Sequence, residues 1–148
     1  MTPGTEEQRQ AERVVRAMVA RDAFSRWLGI EVLEVAPRRS TCRLTVREEM
    51  VNGFGVTHGG IAFSLADSAF AFACNTHGKV TVSIENSITY PSPIHVGDEL
   101  TALAREDAAS GRLAYYSAEV KNQRGEVVAL FRGTAFKTTR EHLVTRES

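Results

Sequence analysis

The chain has 148 residues, 43% of them hydrophobic, which suits one domain of ordinary size with a real buried core. Eighteen basic residues balance eighteen acidic ones, so the charge gives no case for nucleic acid or an anionic membrane surface as a partner. The N-terminus lacks a basic-then-apolar export pattern, and no apolar run approaches the roughly 20 residues of a membrane span, so a cytoplasmic location is expected.

Residues 1–8 are polar and are expected to be flexible. Over residues 9–28, Val14, Val15, Met18, Phe24, Trp27 and Leu28 recur at helical spacing, predicting one amphipathic helix, or two short ones broken near Arg21-Asp22, with Gly29 as the stop. Residues 30–35 are β-rich and Pro37-Arg38-Arg39 makes a turn. Cys42, Leu44 and Val46 then alternate with Arg43, Thr45 and Arg47 at the period of a half-buried strand. Residues 50–60 read as an irregular loop with four glycines, and residues 60–75 as a helix closed by a left-handed Gly78. Strands are predicted over 80–88, 100–105, 113–121 and 126–137, parted by turn signals such as Ser110-Gly111 and Arg124-Gly125. Residues 139–148 read as a polar tail. Cys42 and Cys74 lie in apolar stretches without metal-ligand spacing and read as reduced core thiols.

One long buried helix, about two strands before it and four after it, with no βαβ alternation, predict a single α+β domain over residues 1–148. Its sheet is antiparallel with the helix packed across it. The sheet face turned away from the helix carries Thr, Tyr, Ser and Leu among its charges, so a dimer is expected.

Asp67 stands out. It is the one acid in residues 61–74 (IAFSLADSAFAFAC), a run that reads as a helix buried on nearly every side. A carboxylate there is costly unless it has a partner or a task. On a helix, Ser64, Asp67, Ser68, Ala71 and Asn75 share one narrow stripe of small or polar residues, able to line a cleft or a subunit interface. Gly59 and Gly60 precede it, and their N–H groups at a helix start have no intrahelical acceptor and favour negative charge. An acid beside such donors suits acyl transfer, whereas the plain alternatives are a structural acid, paired with a partner's Arg or capping a neighbouring helix, and glycines kept for tight loop packing. Burial pushes the Asp67 pKa up and the helix N-terminus pulls it down, and the sequence leaves that balance open. His58 lies nine positions before Asp67, about 12–14 Å along the axis, so the two do not meet within one chain unless the loop folds back. A helix cap or loop brace is the plain role for His58. Asn52-Gly53 by itself is a turn dipeptide. His77, His95 and His142 read as surface residues without companion ligands, and Glu85 as an exposed strand acid. Ser64 and Ser68 lack a nucleophile elbow, and no phosphate-binding or dinucleotide fingerprint is present.

The set Asn52-Gly-x-Gly-x-x-His58-Gly59-Gly60, followed by Phe63-Ser-Leu-Ala-Asp67-Ser-Ala-Phe70-Ala-x-Ala-Cys-Asn75, resembles the hot-dog-fold thioesterases, in particular the phenylacetate-pathway (PaaI-type) acyl-CoA thioesterases. The similarity runs from about Asp22 to Gly133. It implies a curved antiparallel sheet of about six strands wrapped around the central helix, preceded by an N-terminal helix, in dimers that pair into tetramers. It implies hydrolysis of acyl-CoA thioesters, often aryl-acetyl ones, without metal or organic cofactor. By matching position, Asp67 is implied as general base or nucleophile and the Gly59 N–H as the donor to the carbonyl. His58 and Asn52 orient the carbonyl and the entrance loop, while Gly60, Phe63, Ser64 and Ser68 line the substrate. The two halves of each site are implied to come from opposite subunits. The chain departs from some relatives at Arg21, where they carry Asn, and at Ser92-Pro93, where they carry Arg-Pro. Both bear on the acyl group and the coenzyme A phosphates. Two other readings remain: a hot-dog enoyl-CoA hydratase or dehydratase, and a non-catalytic acyl-CoA binding domain.

Overall fold

The computed structural model describes residues 4–143. Thr5 begins the first helix, α1 (Glu6–Arg21), by accepting the Gln8 N–H on its side chain at 3.1 Å, with Glu6 and Glu7 in the first turn where acids suit the dipole. The helix thus starts three residues earlier than hydrophobic spacing predicts, because the cap and not an apolar residue sets its beginning. Asp22 ends α1 and opens α2 (Ala23–Leu28), its carboxylate accepting from Ser25 N at 2.9 Å and from Ser25 Oγ at 2.6 Å. Of the two alternatives, the structure has two helices, and the break between them is a shared cap. Gly29 terminates α2 in the left-handed region (φ 81°).

The strands are β1 (Glu31–Ala36), β2 (Arg39–Thr45), β3 (Lys79–Thr89), β4 (Glu99–Ser110), β5 (Leu113–Lys121) and β6 (Val127–Glu141), and the central helix is α3 (Gly59–Asn75). They form one antiparallel sheet in the order β1-β2-β4-β5-β6-β3. β6 continues to Glu141, paired with Lys79, so the first part of the expected tail is strand; residues 144–148, and 1–3 at the other end, lie outside the described residues.

Alternation decides what each sheet face does. Tyr116, Ala118 and Val120 point inward and are buried, while Glu119 between them is exposed. The inward set meets Leu65, Phe70 and Phe72 of α3, and Ala62, Ala66, Ala69 and Ala73 bring the helix close to the strands. Phe70 packs on Tyr116 and Phe131 with centroids 5.4 and 5.8 Å apart. Each such aromatic contributes about 1.5–3 kcal/mol by burial, and Phe70→Ala would cost about 3–5 kcal/mol. Cys42 and Cys74 are free and buried within this core, as expected, and desolvation pushes both thiols up to about 12. β3 is an outer strand of the sheet, and its Val82 and Ile84 are 46% and 57% exposed.

Candidate active site

The entrance loop folds around Asn52. Its Oδ1 accepts the N–H of Phe54 at 2.9 Å and of Val56 at 3.2 Å, while its own N–H donates to Val56 O at 2.7 Å. Gly55 takes the positive φ this tight turn requires (76°). His58 N donates to Met50 O at 2.8 Å, which delivers the chain into α3. His58 is the N-cap: its Nδ1 accepts from Gly60 N at 2.9 Å, so the neutral ring carries its proton on the outward Nε2.

The two glycines differ. Gly60 N–H is committed to His58, and a Cβ at Gly60 would lie 2.9 Å from His58 Nδ1. Gly59 N–H has no acceptor among the described residues, as expected for a first-turn donor. Its carbonyl accepts from Tyr90 Oη at 2.7 Å, and a Cβ would lie 3.0 Å from that oxygen. A Cβ at either position would therefore crowd a side chain that holds the helix mouth.

Asp67 is half-buried on α3. Asn86 Nδ2 donates to Asp67 Oδ1 at 3.1 Å, and Asn86 Oδ1 in turn accepts from Ser83 Oγ at 2.8 Å. Among the described residues no cation lies within ion-pair distance of Asp67. Desolvation by burial raises its pKa above the ordinary aspartate value, and the Asn86 hydrogen bond offsets part of that.

The predicted polar stripe of α3 divides. Ser64 reaches a cleft of about 400 Å³ between α2 and the entrance loop, together with Phe24, Trp27, Met50, His58 and Ile61. Asp67 is not in that lining and turns to β3. Ser68 is buried and its Oγ lies 2.8 Å from Ser25 Oγ, so its hydroxyl joins α3 to α2. Asn75 is buried, accepting from Thr81 N at 2.8 Å and donating to Thr81 O at 3.0 Å, which pins the helix end to β3. Phe63 packs edge-on against Phe131, with centroids 5.6 Å apart, and belongs to the core wall.

Other expectations shift as well. His142 is half-buried, with Nε2 2.7 Å from Asn75 Oδ1, and is not the free surface residue its sequence position suggested. Glu85 is exposed as expected. Asn86, which touches the acid directly, carried no sequence signal: it is one polar residue among several on an outer strand. Phe24 and Trp27 fitted a buried helical stripe yet are 53% and 72% exposed at the cleft. Only their aromatic character, on a helix too short to bury both, hinted at this. Among the described residues, no cluster of three or more His, Cys, Asp or Glu could hold a metal ion. No helix among them is long and apolar enough to cross a membrane.

Chemically, the arrangement offers, among the described residues, a carboxylate with no cation at ion-pair distance, a helix-mouth N–H with no acceptor, and an apolar cleft beside that mouth. Residues 54–129 match the family model described as the thioesterase superfamily. The acyl-coenzyme A thioesterase PaaI of Escherichia coli K12 is 38% identical over 82% of this chain and 86% of its own length. Acyl-coenzyme A thioesterase 13 of Homo sapiens is 34% identical over 82% of this chain and 89% of its own. The solved structure of the E. coli PaaI protein from the phenylacetic acid degradation operon superposes with a TM-score of 0.89 at 34% identity, covering 92% of this chain and 99% of that one.

Proposed function

The chain belongs to the thioesterase superfamily with the hot-dog fold, and from that premise we propose that it hydrolyses acyl-CoA thioesters, aryl-acetyl or hydroxyphenylacetyl ones among them, to a free acid and coenzyme A. The observation that carries this reading is the half-buried Asp67, with no cation at ion-pair distance among the described residues, on the same helix whose first N–H, at Gly59, has no acceptor among them.

Asp67 removes a proton from water as the water oxygen bonds to the thioester carbon. Negative charge grows on the carbonyl oxygen, and the Gly59 N–H donates to it, supported by the N-terminal dipole of α3. One donor of this kind contributes a rate factor of about 10²–10³. The tetrahedral intermediate collapses, the C–S bond breaks, and the sulfur takes the proton to leave as the coenzyme A thiol. His58, with its Nε2–H outward, and Asn52, which fixes the loop, orient the carbonyl. Direct attack by Asp67 on the thioester carbon, giving an anhydride that water then opens, uses the same groups. A single turnover in ¹⁸O-water separates the routes, because only the anhydride route can carry label into the Asp67 carboxyl.

Asp67 and Gly59 are eight residues apart on one helix, about 12 Å along its axis, too far to serve one carbonyl. The reading therefore places them in different copies, with Asp67 of one protomer facing the loop of its partner in a homodimer that pairs into a homotetramer. The exposed Val82 and Ile84 on outer strand β3 support edge-to-edge association. Steady-state hydrolysis of an acyl-CoA panel by wild type and Asp67→Asn tests the function. Unchanged kcat in the variant removes Asp67 from the mechanism, and tight coenzyme A ester binding with no thiol release replaces the enzyme by a binding domain.

A further inference from the structure

β3 does not run regularly past the acid. Ser83 sits opposite Ala135, whereas Glu85 sits opposite Thr134, so Ile84 is an extra residue that bulges the strand. The bulge changes which side chains share a face. Ala135 and Gly133 are two apart on β6 and both face inward. Ser83 and Asn86, opposite them, are three apart in sequence and would take opposite faces of a regular strand. With Ile84 inserted, both face α3, and Ser83 Oγ comes 2.8 Å from Asn86 Oδ1.

Gly133 supplies the room. A Cβ there would lie 2.8 Å from the Phe70 ring and 3.0 Å from Asn86 Oδ1. With hydrogen alone at that place, the Asn86 amide has room beside Gly133 and extends Nδ2 to Asp67 Oδ1 at 3.1 Å. With Asp67 ionised, the carboxylate accepts and so requires the NH₂ group, which leaves the amide oxygen to accept from the Ser83 hydroxyl. Nothing else competes for Asp67: no cation from β3, β6 or α3 lies within ion-pair distance among the described residues. Cys74, two turns along α3, stays neutral because burial pushes its thiol up to about 12.

We propose that Asn86 is the positioning residue for the reactive carboxylate: braced by Ser83, it fixes the rotamer of Asp67 and occupies Oδ1, leaving Oδ2 for water or for the thioester carbon. This rests on Asp67 being the reacting group. Without the amide, the carboxylate loses its one donor while remaining half-buried, and a larger share of its orientations is unproductive.

The test is ¹³C NMR titration of the Asp67 carboxyl in wild type, Asn86→Ala and Ser83→Ala, alongside pH–rate profiles for phenylacetyl-CoA. In Asn86→Ala the titration midpoint moves to higher pH, the acidic limb of kcat moves with it, and kcat falls about 10- to 100-fold while KM changes little. Ser83→Ala moves the midpoint in the same direction by less, and it carries the test if Asn86→Ala does not fold. A folded Asn86→Ala, or failing that a folded Ser83→Ala, whose Asp67 titrates as in wild type overturns the proposal. Because NMR reads the carboxyl without turnover, a moved midpoint in a protein that hydrolyses no thioester sinks the thioesterase reading and leaves the contact between Asn86 and Asp67 standing.

Discussion

The Tyr90 hydroxyl donates to the Gly59 carbonyl at 2.7 Å, tying the segment just past β3 to the first residue of α3. The contact holds the helix mouth in place and leaves little room for a side chain at Gly59. An alanine Cβ would sit 3.0 Å from Tyr90 Oη and 3.1 Å from Cζ, so the ring or the helix must give. Gly59→Ala is expected to lower kcat/KM about 10- to 100-fold, since small displacements of an oxyanion donor are costly. In a Tyr90→Ala background the same substitution should cost several-fold less, as a double-mutant cycle for touching groups requires. Equal costs in both backgrounds would mean that the Cβ obstructs the substrate itself.

Asp67 sets opposite demands on activity and stability. Burial raises its pKa above the unfolded value, so the fold favours the protonated form. Between the two pKa values the native state binds more protons than the unfolded one, and stability falls as pH rises through that window. The contribution lost there stays lost at neutral pH. On the proposed mechanism hydrolysis needs the carboxylate, so kcat is expected to fall as pH drops through the raised native pKa. Asp67→Asn is expected to lower kcat by about 10²–10⁴-fold and to raise Tm at pH 7. Calorimetry at pH 7 and pH 4 checks the sign: the Tm gain of the variant should shrink at the lower pH.

The cleft beside the helix mouth is walled by Phe24 and Trp27, whose centroids are 6.2 Å apart. At 53% and 72% exposure these rings are poor core residues but suit an apolar acyl group. Trp27→Ala should therefore act on specificity. We expect kcat/KM for phenylacetyl-CoA to fall about tenfold relative to acetyl-CoA, with folding unchanged because so little of the ring is buried. An equal loss for both substrates would remove the ring from acyl recognition.

What the sequence revealed and what it hid divides by range. Asp67 was visible because one charge in an apolar helix violates a local rule, whereas spacing left open one helix or two over residues 9–28, since the break is made by the Asp22 side chain capping Ser25. The beginning of α1 was missed by a small margin, since Thr5 acts through a single side-chain bond and not through periodicity. β6 outran its apolar pattern because pairing with β3 continues it through Thr138, Thr139 and Arg140 to Glu141. Asn86 was hidden for a deeper reason. Its contact with Asp67 depends on one inserted residue at Ile84 and one missing side chain at Gly133, 47 positions away, and only the register brings these together.

The distance between Asp67 and Gly59 leads to the most demanding prediction. If each site draws the acid from one copy and the loop from its partner, two inactive variants should restore one another when mixed. Asp67→Asn keeps an intact mouth, and Gly59→Val keeps an intact acid while a branched side chain meets Tyr90. In a mixed dimer one site inherits both defects and the other inherits neither. After random reassortment half of the dimers are mixed, so activity should recover to about a quarter of the wild-type value, growing with the time allowed for subunit exchange. The measurement is phenylacetyl-CoA hydrolysis after the two variants are unfolded together and refolded, against each refolded alone. Activity in the mixture no higher than the sum of the separate variants, with exchange demonstrated by mass labelling, would place both groups in one copy and require the loop to reach the acid by bending back over α3.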